Sequence, residues 1–86
     1  MKIIRSNVFV KQTKKIKDKV TKERIVKQIK KIIDNPEVGE FLSYRKDVRK
    51  IYIPPFRLLY AYKNDTLYLL DFDNRDKVYK KDRKKR

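Results

Sequence analysis

Residues 48–79 read VRKIYIPPFRLLYAYKNDTLYLLDFDNRDKVY, and this stretch decides the fold. It contains three apolar, aromatic-rich runs that are separated by two turn signals, Pro54-Pro55 and Lys63-Asn64-Asp65. Proline cannot donate to a strand ladder, and Asn or Asp in a short connection favours a hairpin turn. The pattern therefore predicts an antiparallel meander with strands at 48–53, 56–62 and 66–72, and with basic and tyrosine side chains at the strand ends.

Two helices are predicted before this meander, after a short first strand at residues 2–5. Ser6 or Asn7 can cap the first helix, whose stripe is formed by Phe9, Thr13, Ile16 and Val20. The second helix is predicted to start near Thr21 and to stop at Asn35-Pro36. Its apolar residues follow a helical spacing and are Ile25, Val26, Ile29, Ile32 and Ile33.

The element order predicts one α+β domain over residues 1–86, in the order β-α-α-β-β-β. The helices are expected to form a hairpin on one face of an antiparallel-rich sheet, and the basic tail is expected to be flexible at 80–86. Residues 36–47 are predicted to form a loop that packs Phe41, Leu42 and Tyr44 onto the core. A packing role is also expected for most of the tyrosines that alternate along the strands, namely Tyr52, Tyr60, Tyr62 and Tyr68.

The composition excludes several kinds of chemistry. The 86 residues include no Cys and no His, so disulfides, thiolate nucleophiles and Cys- or His-ligated zinc are excluded. Asp71, Asp73 and Asp76 could suggest a divalent-metal site, but basic neighbours would repel the cation. We expect no metal and no cofactor. No apolar run approaches the length of a membrane span or of a signal-peptide core, so a cytoplasmic protein is expected.

The net charge of +15 favours a polyanionic partner, nucleic acid before membrane. Residues 11–31 hold ten Lys or Arg against two acids, and residues 75–86 hold eight against two. Residues 32–74 are nearly balanced, with six basic and seven acidic side chains. The positive charge is thus concentrated on the helices and the tail. The helical lysines form either a solvated face or a surface that contacts RNA.

Two motifs in the deciding stretch resemble those of the RelE/ParE superfamily of toxins from toxin–antitoxin pairs. Phe56-Arg57-Leu58-Leu59-Tyr60 looks like the family's Tyr-Arg-hydrophobic-hydrophobic-Tyr strand. The run from Asn74 to Tyr79, NRDKVY, looks like its His-Arg-x-x-Val-Tyr motif. The resemblance covers nearly the whole chain, because the helices and meander also match. This sequence departs from the family at Pro54-Pro55, where Gly is common, and at Asn74, where His is common.

The resemblance to the RelE branch implies an endoribonuclease that cuts messenger RNA in the ribosomal A site without a metal ion. The RNA 2′-hydroxyl attacks the adjacent phosphate, which requires charge stabilisation, a proton acceptor and a proton donor. Arg57 and Arg75 suit the first task, because guanidinium groups grip phosphate bidentately. Lys50 is the candidate base and Tyr79 the candidate proton donor, acceptor or stacking residue. Four further residues are predicted to bind RNA: Arg49, Lys77, Lys80 and Lys81.

The same resemblance implies three partners, namely an acidic antitoxin, the ribosome and messenger RNA, and no membrane.

Alternatives remain open for each site residue. Arg57 can instead pair with Asp71 or Asp73 across the strands, Lys50 can protect a sheet edge, and Arg75 and Tyr79 can serve as a tail charge and a core aromatic. At the level of function, the alternatives are a ParE-like toxin that binds DNA gyrase, a non-enzymatic RNA- or ribosome-binding module, and a basic domain that binds polyanions non-specifically.

Overall fold

The computed structural model describes residues 1–74, which form two helices on a five-stranded mixed sheet. The strand order is β1-β5-β4-β3-β2, with β1 parallel to β5 and every other neighbouring pair antiparallel. The predicted α+β class and the helices-on-sheet architecture are confirmed. In chain order the elements are β1 (Lys2–Arg5), α1 (Asn7–Lys14), α2 (Lys19–Asp34), β2 (Glu40–Phe41), β3 (Arg49–Ile53), β4 (Phe56–Lys63) and β5 (Thr66–Asn74).

Side-chain caps set the helix starts. The Ser6 hydroxyl accepts the backbone N–H of Phe9, and the Asp18 carboxylate accepts the backbone N–H of Thr21. Hydrogen bonds from Thr21 also hold the pKa of Asp18 below its usual value. The predicted cap at Ser6 is confirmed. The predicted first stripe is wrong as a helical stripe beyond Thr13, because α1 ends at Lys14. Ile16 still packs against the core after the helix, but Val20 belongs to α2, where it is 62% exposed.

Ser6 also ties α1 to an irregularity in the sheet. The pairing of β4 with β5 shifts between Leu59, opposite Asp71, and Tyr60, opposite Leu69, so Leu70 is an extra residue on β5. The Ser6 hydroxyl donates to the Leu70 carbonyl at 2.6 Å, which satisfies an acceptor that the bulge removes from the ladder. The bulge places Leu70 and Asp71 on the same face of the sheet.

Both turns of the meander form where the sequence predicts them. Ile53 pairs with Phe56 across Pro54-Pro55, and Lys63 pairs with Thr66 across Asn64-Asp65. Asn64 and Asp65 both have positive φ, 52° and 57°, as a two-residue hairpin with a type I′ turn requires. Asn and Asp tolerate this conformation better than other non-glycine residues.

The main core lies between the helices and one face of the sheet. Its central side chains are Phe9, Ile25, Ile32, Ile53, Leu58, Tyr60, Leu67, Leu69 and Phe72. A smaller cluster covers the other face, where Leu59 packs with Leu42 and Val48 and with the half-buried Leu70. Two residues of the predicted α2 stripe are not in the core, because Val26 and Ile33 are 51% and 36% exposed.

The segment 36–47 differs from its prediction in two ways. It contains the short strand β2, which pairs with β3, and only Leu42 of the three predicted core residues is buried. Phe41 and Tyr44 are 60% and 67% exposed, so their predicted packing is wrong. The general packing prediction for the strand tyrosines holds for the fully buried Tyr60 but fails for Tyr52 and Tyr62, which are exposed.

The Tyr60 hydroxyl fixes the start of this segment. It accepts the Gly39 N–H at 2.9 Å and donates to the Pro36 carbonyl at 2.8 Å. Arg49 donates to the carbonyls of Glu37 and Gly39, so both sides of the segment are held by side chains from the sheet. A Cβ atom at Gly39 would lie 2.7 Å from the Tyr60 hydroxyl and 2.8 Å from the Lys50 carbonyl, which explains the chain's single glycine.

Replacing Tyr60 by Phe is therefore expected to lower the free energy of unfolding by about 1–3 kcal/mol, because a buried N–H and a buried C=O lose their partner. Tyr62→Phe is the matched control, because the exposed Tyr62 hydroxyl donates to the exposed Asp65 carboxylate and not to a buried backbone group of residues 1–74. Gly39→Ala is expected to destabilise by a similar amount through overpacking. Urea denaturation of the three variants measures this, and equal midpoints for Tyr60→Phe and Tyr62→Phe would contradict the role of the Tyr60 hydroxyl.

Candidate functional site

The face of the sheet opposite the helices carries two of the predicted site residues, and we call it the outer face. Residues that are paired across antiparallel strands point to the same side. Tyr52, Arg57 and Asp73 form one such row across β3, β4 and β5, and Lys50, Leu59 and Asp71 form the next. Both rows alternate with core residues on the helix side, so the predicted Lys50 and Arg57 lie on one surface.

Arg57 is engaged in an ion pair. Its Nη2 lies 3.3 Å from Asp73 Oδ2, and both side chains are about four-fifths buried, at 20% and 19% exposure. Burial acts to lower the pKa of Arg57, but the hydrogen bond and charge of Asp73, together with Tyr44, raise it above its usual value. The guanidinium is therefore permanently charged. The alternative in which Arg57 pairs across the strands is the arrangement that this structure has.

The Arg57–Asp73 contact is incomplete. Only one nitrogen–oxygen pair is in contact, and Arg57 Nε and Asp73 Oδ1 are buried without a hydrogen-bond partner in the described part of the chain. A bidentate pair would use both atoms. A donor and an acceptor thus remain unsatisfied within the described residues at the centre of the outer face, and a ligand could bond to the guanidinium edge only after the ion pair opens.

Asp71 is the second carboxylate of this face and is half-buried. Its pKa is raised, first by burial and then by the charge of Asp73, whereas Arg45 and Arg57 act in the opposite direction. Residues 1–74 contain no group of three or more His, Cys, Asp or Glu side chains that could hold a metal ion. Asp73 pairs with Arg57, and the charges of Arg45 and Arg57 act to lower the pKa of Asp71, so both carboxylates are counter-charges to basic residues.

The raised pKa of Asp71 predicts a pH-dependent effect of Asp71→Asn. In the folded protein the carboxylate is disfavoured relative to the unfolded chain, so its cost is absent below the unfolded value near 3.8 and grows as pH rises through the folded pKa. Asp71→Asn is expected to gain stability relative to wild type between pH 3 and pH 7. Thermal unfolding of both proteins at the two pH values measures the difference, with the exposed Asp47→Asn as control. A stability gain of Asp71→Asn that does not grow with pH would contradict the assignment.

Aromatic side chains lie exposed beside these charges. Tyr52 is 42% exposed next to Arg57 in the sheet, and the Lys50 ammonium lies 5.3 Å from the centre of its ring. Tyr44 is 67% exposed and close enough to affect the pKa of Arg57. The sequence prediction missed both aromatics as site residues. Their signal was present, since both occur in basic surroundings, at 44–46 (YRK) and 49–52 (RKIY).

The remaining predicted residues fall into two groups. Arg49 lies off the outer face, where its guanidinium is 3.8 Å from the centre of the Phe41 ring and binds the carbonyls of the 36–47 segment. Lys50 is not at an edge, because β2 pairs beside it, so the edge-protection alternative is wrong. The other predicted site residues lie outside the described residues, and their roles stay predictions: Arg75, Lys77, Tyr79, Lys80 and Lys81.

The outer face therefore combines Lys50 and Arg57 with two carboxylates and the exposed Tyr52, and Arg45 and Tyr44 are close enough to affect the pKa values of Asp71 and Arg57. Arg45, Lys50 and Arg57 offer bonds to phosphate oxygens, and the tyrosine rings offer surfaces for base stacking. Asp71 and Asp73 reduce the net positive charge to that of a single cation. The arrangement suits a small anionic, aromatic ligand such as one or two nucleotides more than a long polyanion.

The fold is that of the RelE toxins. The chain superimposes on RelE in the intact Escherichia coli RelBE toxin–antitoxin complex with a TM-score of 0.75 and 15% identity, over 85% of this chain and 94% of that one. It superimposes on the isolated E. coli RelE toxin with a TM-score of 0.73 and 18% identity, over 98% of this chain and 96% of that one. For the RelB–RelE complex of Methanococcus jannaschii the TM-score is 0.72 and the identity 16%, over 90% of this chain and 95% of that one.

No family model and no curated protein matches the sequence. The likeness to the solved structures therefore shows the RelE-like fold, which the two sequence motifs predicted. Among residues 1–74, no helix is both long and apolar enough to cross a membrane.

Proposed function

We propose that this protein is the toxin of a toxin–antitoxin pair and that it cleaves messenger RNA in the ribosomal A site. The observation that carries the proposal is the outer face, where Arg57, Lys50 and exposed tyrosines lie together on a fold that matches RelE over nearly the full length of both chains. Two of the similar structures are complexes of a toxin with its antitoxin, which supports a partner of that kind.

In the proposed reaction the RNA 2′-hydroxyl attacks the adjacent phosphorus, loses its proton, and expels the 5′-oxygen of the next nucleotide, which gains one. Arg57 neutralises the charge that develops on the phosphate oxygens. Its Nε, which lacks a partner in the described chain, and its Nη2 form the edge that would face the phosphate. Lys50 is the proposed base, and Arg75 and Tyr79 remain the proposed second charge stabiliser and proton-transfer or stacking residue.

The Arg57–Asp73 pair favours a second candidate, a non-enzymatic RNA- or ribosome-binding module. Arg57 Nε and Asp73 Oδ1 are both buried, so a phosphate reaches the guanidinium edge only if the pair opens. Opening has a free-energy cost that substrate binding would have to offset. A module that binds through exposed lysines and tyrosines needs no such rearrangement.

Mapping of transcript ends in cells that express the protein separates these functions. The nuclease proposal predicts new ends inside translated messages within minutes of induction, and none in the same messages when their start codons are removed. Unbroken transcripts with inhibited translation would favour the binding module. Unbroken transcripts with altered DNA supercoiling would favour the gyrase-binding alternative, and either result would contradict the nuclease proposal.

The proposed antitoxin is an acidic chain, because it must recognise a protein of net charge +15. Part of it is expected to be disordered when free and to fold on binding. The proposal therefore requires that a short acidic protein be encoded beside this gene and co-purify with it near 1:1 stoichiometry. Absence of such a neighbour would contradict the toxin–antitoxin assignment.

A further inference from the structure

One side of α2 forms a shallow hollow that no described element covers. The hollow has a volume of about 350 Å³ and is lined by Lys19, Lys22, Glu23, Val26, Lys27 and Lys30, which we call the α2 flank. These residues recur at helical spacing, so they share one side of α2. The flank is distinct from the core side of the helix, which buries Ile25 and Ile32.

The α2 flank has an apolar floor and a basic rim. Val26 is 51% exposed at its centre, and Ile33, two turns further on, is 36% exposed. Val26 belongs to the apolar stripe that the sequence predicts for α2, yet it lies half-exposed among lysines and is not part of the main core. Four lysines against Glu23 give the rim a positive charge. This combination fits the apolar stripe and acidic flanks of an amphipathic helix.

RNA fits the α2 flank less well than a helix does. Single-stranded nucleic acid binds where aromatic rings stack on bases beside cations. The α2 flank contains no aromatic residue, and Glu23 would repel a phosphate backbone. The exposed Tyr52 lies on the outer face of the sheet instead, and the exposed Tyr44 is close to the Arg57 guanidinium. From Lys19 to Lys30 the α2 flank is about 17 Å long, which corresponds to a partner helix of about three turns.

We infer that an acidic amphipathic helix of the partner chain docks along the α2 flank, with its apolar stripe on Val26 and its carboxylates on the surrounding lysines. The inference rests on the proposed function for the biological identity of that partner. It adds that this contact lies on the helix side of the sheet, whereas Arg57 lies on the outer face.

The experiment uses the full chain and a synthetic acidic probe. The probe is a fluorescein-labelled 14-residue peptide of Glu and Leu, with the Leu residues on one side of a helix, and its control is a peptide of the same composition with scattered Leu. Fluorescence anisotropy measures the dissociation constants. The striped peptide is expected to bind several-fold more tightly than the scattered one, because only it can bury leucine on the floor of the α2 flank.

Two pairs of variants locate the contact. Val26→Ser is expected to weaken binding of the striped peptide about threefold or more, and Val20→Ser, also exposed on α2 but outside the α2 flank, is expected to have no effect. The triple change Lys22→Gln, Lys27→Gln and Lys30→Gln is expected to weaken binding about tenfold. Its control has the same charge loss at exposed positions outside α2, namely Lys11→Gln, Lys14→Gln and Lys15→Gln.

The inference is overturned if the two peptides bind equally, if the two valine variants are equal, or if both lysine triples weaken binding to the same extent. It is also overturned if the α2 triple weakens binding of a 14-nucleotide oligouridylate while leaving the striped peptide unaffected, since the α2 flank would then be an RNA surface. Circular dichroism confirms that each variant is folded. The peptide assay involves no ribosome and no message, so a negative result in it does not contradict the nuclease proposal. Likewise, a negative result in the transcript-end experiment does not contradict helix docking on the α2 flank.

Discussion

Arg57→Ala is expected to reduce ribosome-dependent cleavage by one to three orders of magnitude, the range for losing a preorganised group that stabilises developing negative charge. Arg57 is the central cation of the outer face, and its charge is fixed by the raised pKa that Asp73 maintains. Lysine cannot reproduce the two-nitrogen edge, so Arg57→Lys is expected to recover only part of the rate. Primer extension on a defined message bound to ribosomes gives the rate of each variant.

Asp73 supplies the control that separates catalysis from structure. If Arg57 has only the structural role of joining β4 to β5, Asp73→Asn must reduce the cleavage rate as much as Arg57→Ala does, because each change removes one partner of the ion pair. The proposed function expects Asp73→Asn to retain cleavage, since the guanidinium remains and is more easily released. The double variant Arg57→Ala/Asp73→Asn leaves no unpaired charge, and it is expected to be folded and inactive. Cleavage near the wild-type rate in this double variant would remove Arg57 from the mechanism.

The predictable part of the fold comes from local signals of unambiguous physical origin. Proline at 54–55 and the Asn64-Asp65 pair delimit the strands, because one cannot donate hydrogen bonds and the other tolerates positive φ. The cap at Ser6 and the stop at Asn35 each use a hydrogen bond to a backbone group three or four residues away. These contacts span few residues, so the sequence determines them before tertiary packing does.

The errors arise where tertiary contacts decide. The stripe from Phe9 to Val20 has helical spacing, but Asp18 caps a new helix and interrupts it. Phe41 is apolar enough for a core, yet it lies on the short edge strand β2, where the Arg49 guanidinium stacks on it instead. The bulge at Leu70 is visible in the sequence as a change of spacing. Leu67 and Leu69 are two residues apart, but the next buried residue, Phe72, follows after three. That change marks the extra residue, but only the register shows its place.

The candidate site was predictable in its residue types and less so in its electrostatics. The motif around Arg57 named the cation that lies at the centre of this face, and the alternation of β3 separated Lys50 and Tyr52 from Arg49. Only the pairing of β3 with β4 shows that Lys50 shares the face of Arg57. The partner of Arg57 depends on which of two aspartates lies opposite, and that follows from the register across the bulge. With Asp71 opposite Leu59 and Asp73 opposite Arg57, one carboxylate pairs and the other takes a raised pKa. Two residues of one type therefore differ in role because of a single inserted residue.

Naked RNA is expected to be cleaved at least a hundredfold more slowly than a ribosome-bound message, although the protein binds both. Arg57 is proposed to stabilise charge and Lys50 to act as the base, but the chain has no histidine, the side chain whose ordinary pKa best suits proton transfer near neutral pH. Flexible RNA seldom places its 2′-hydroxyl in line with the leaving oxygen, and fixing that geometry can account for several kcal/mol of the barrier. We propose that the ribosome supplies this alignment and that the protein supplies the positive charge that stabilises the phosphate oxygens.

Single-turnover rates with a short RNA, free or in the A site of purified ribosomes, measure the difference. Binding of the free RNA is expected to weaken steeply between about 50 and 200 mM salt, because phosphate contacts release counterions. The cleavage step on the ribosome, once the complex is formed, is expected to change little over the same range. Buried contacts around Arg57 are screened less than exposed lysines are. Equal rates on free and ribosome-bound RNA would show that the protein aligns its substrate unaided, which would contradict the proposed dependence on the ribosome.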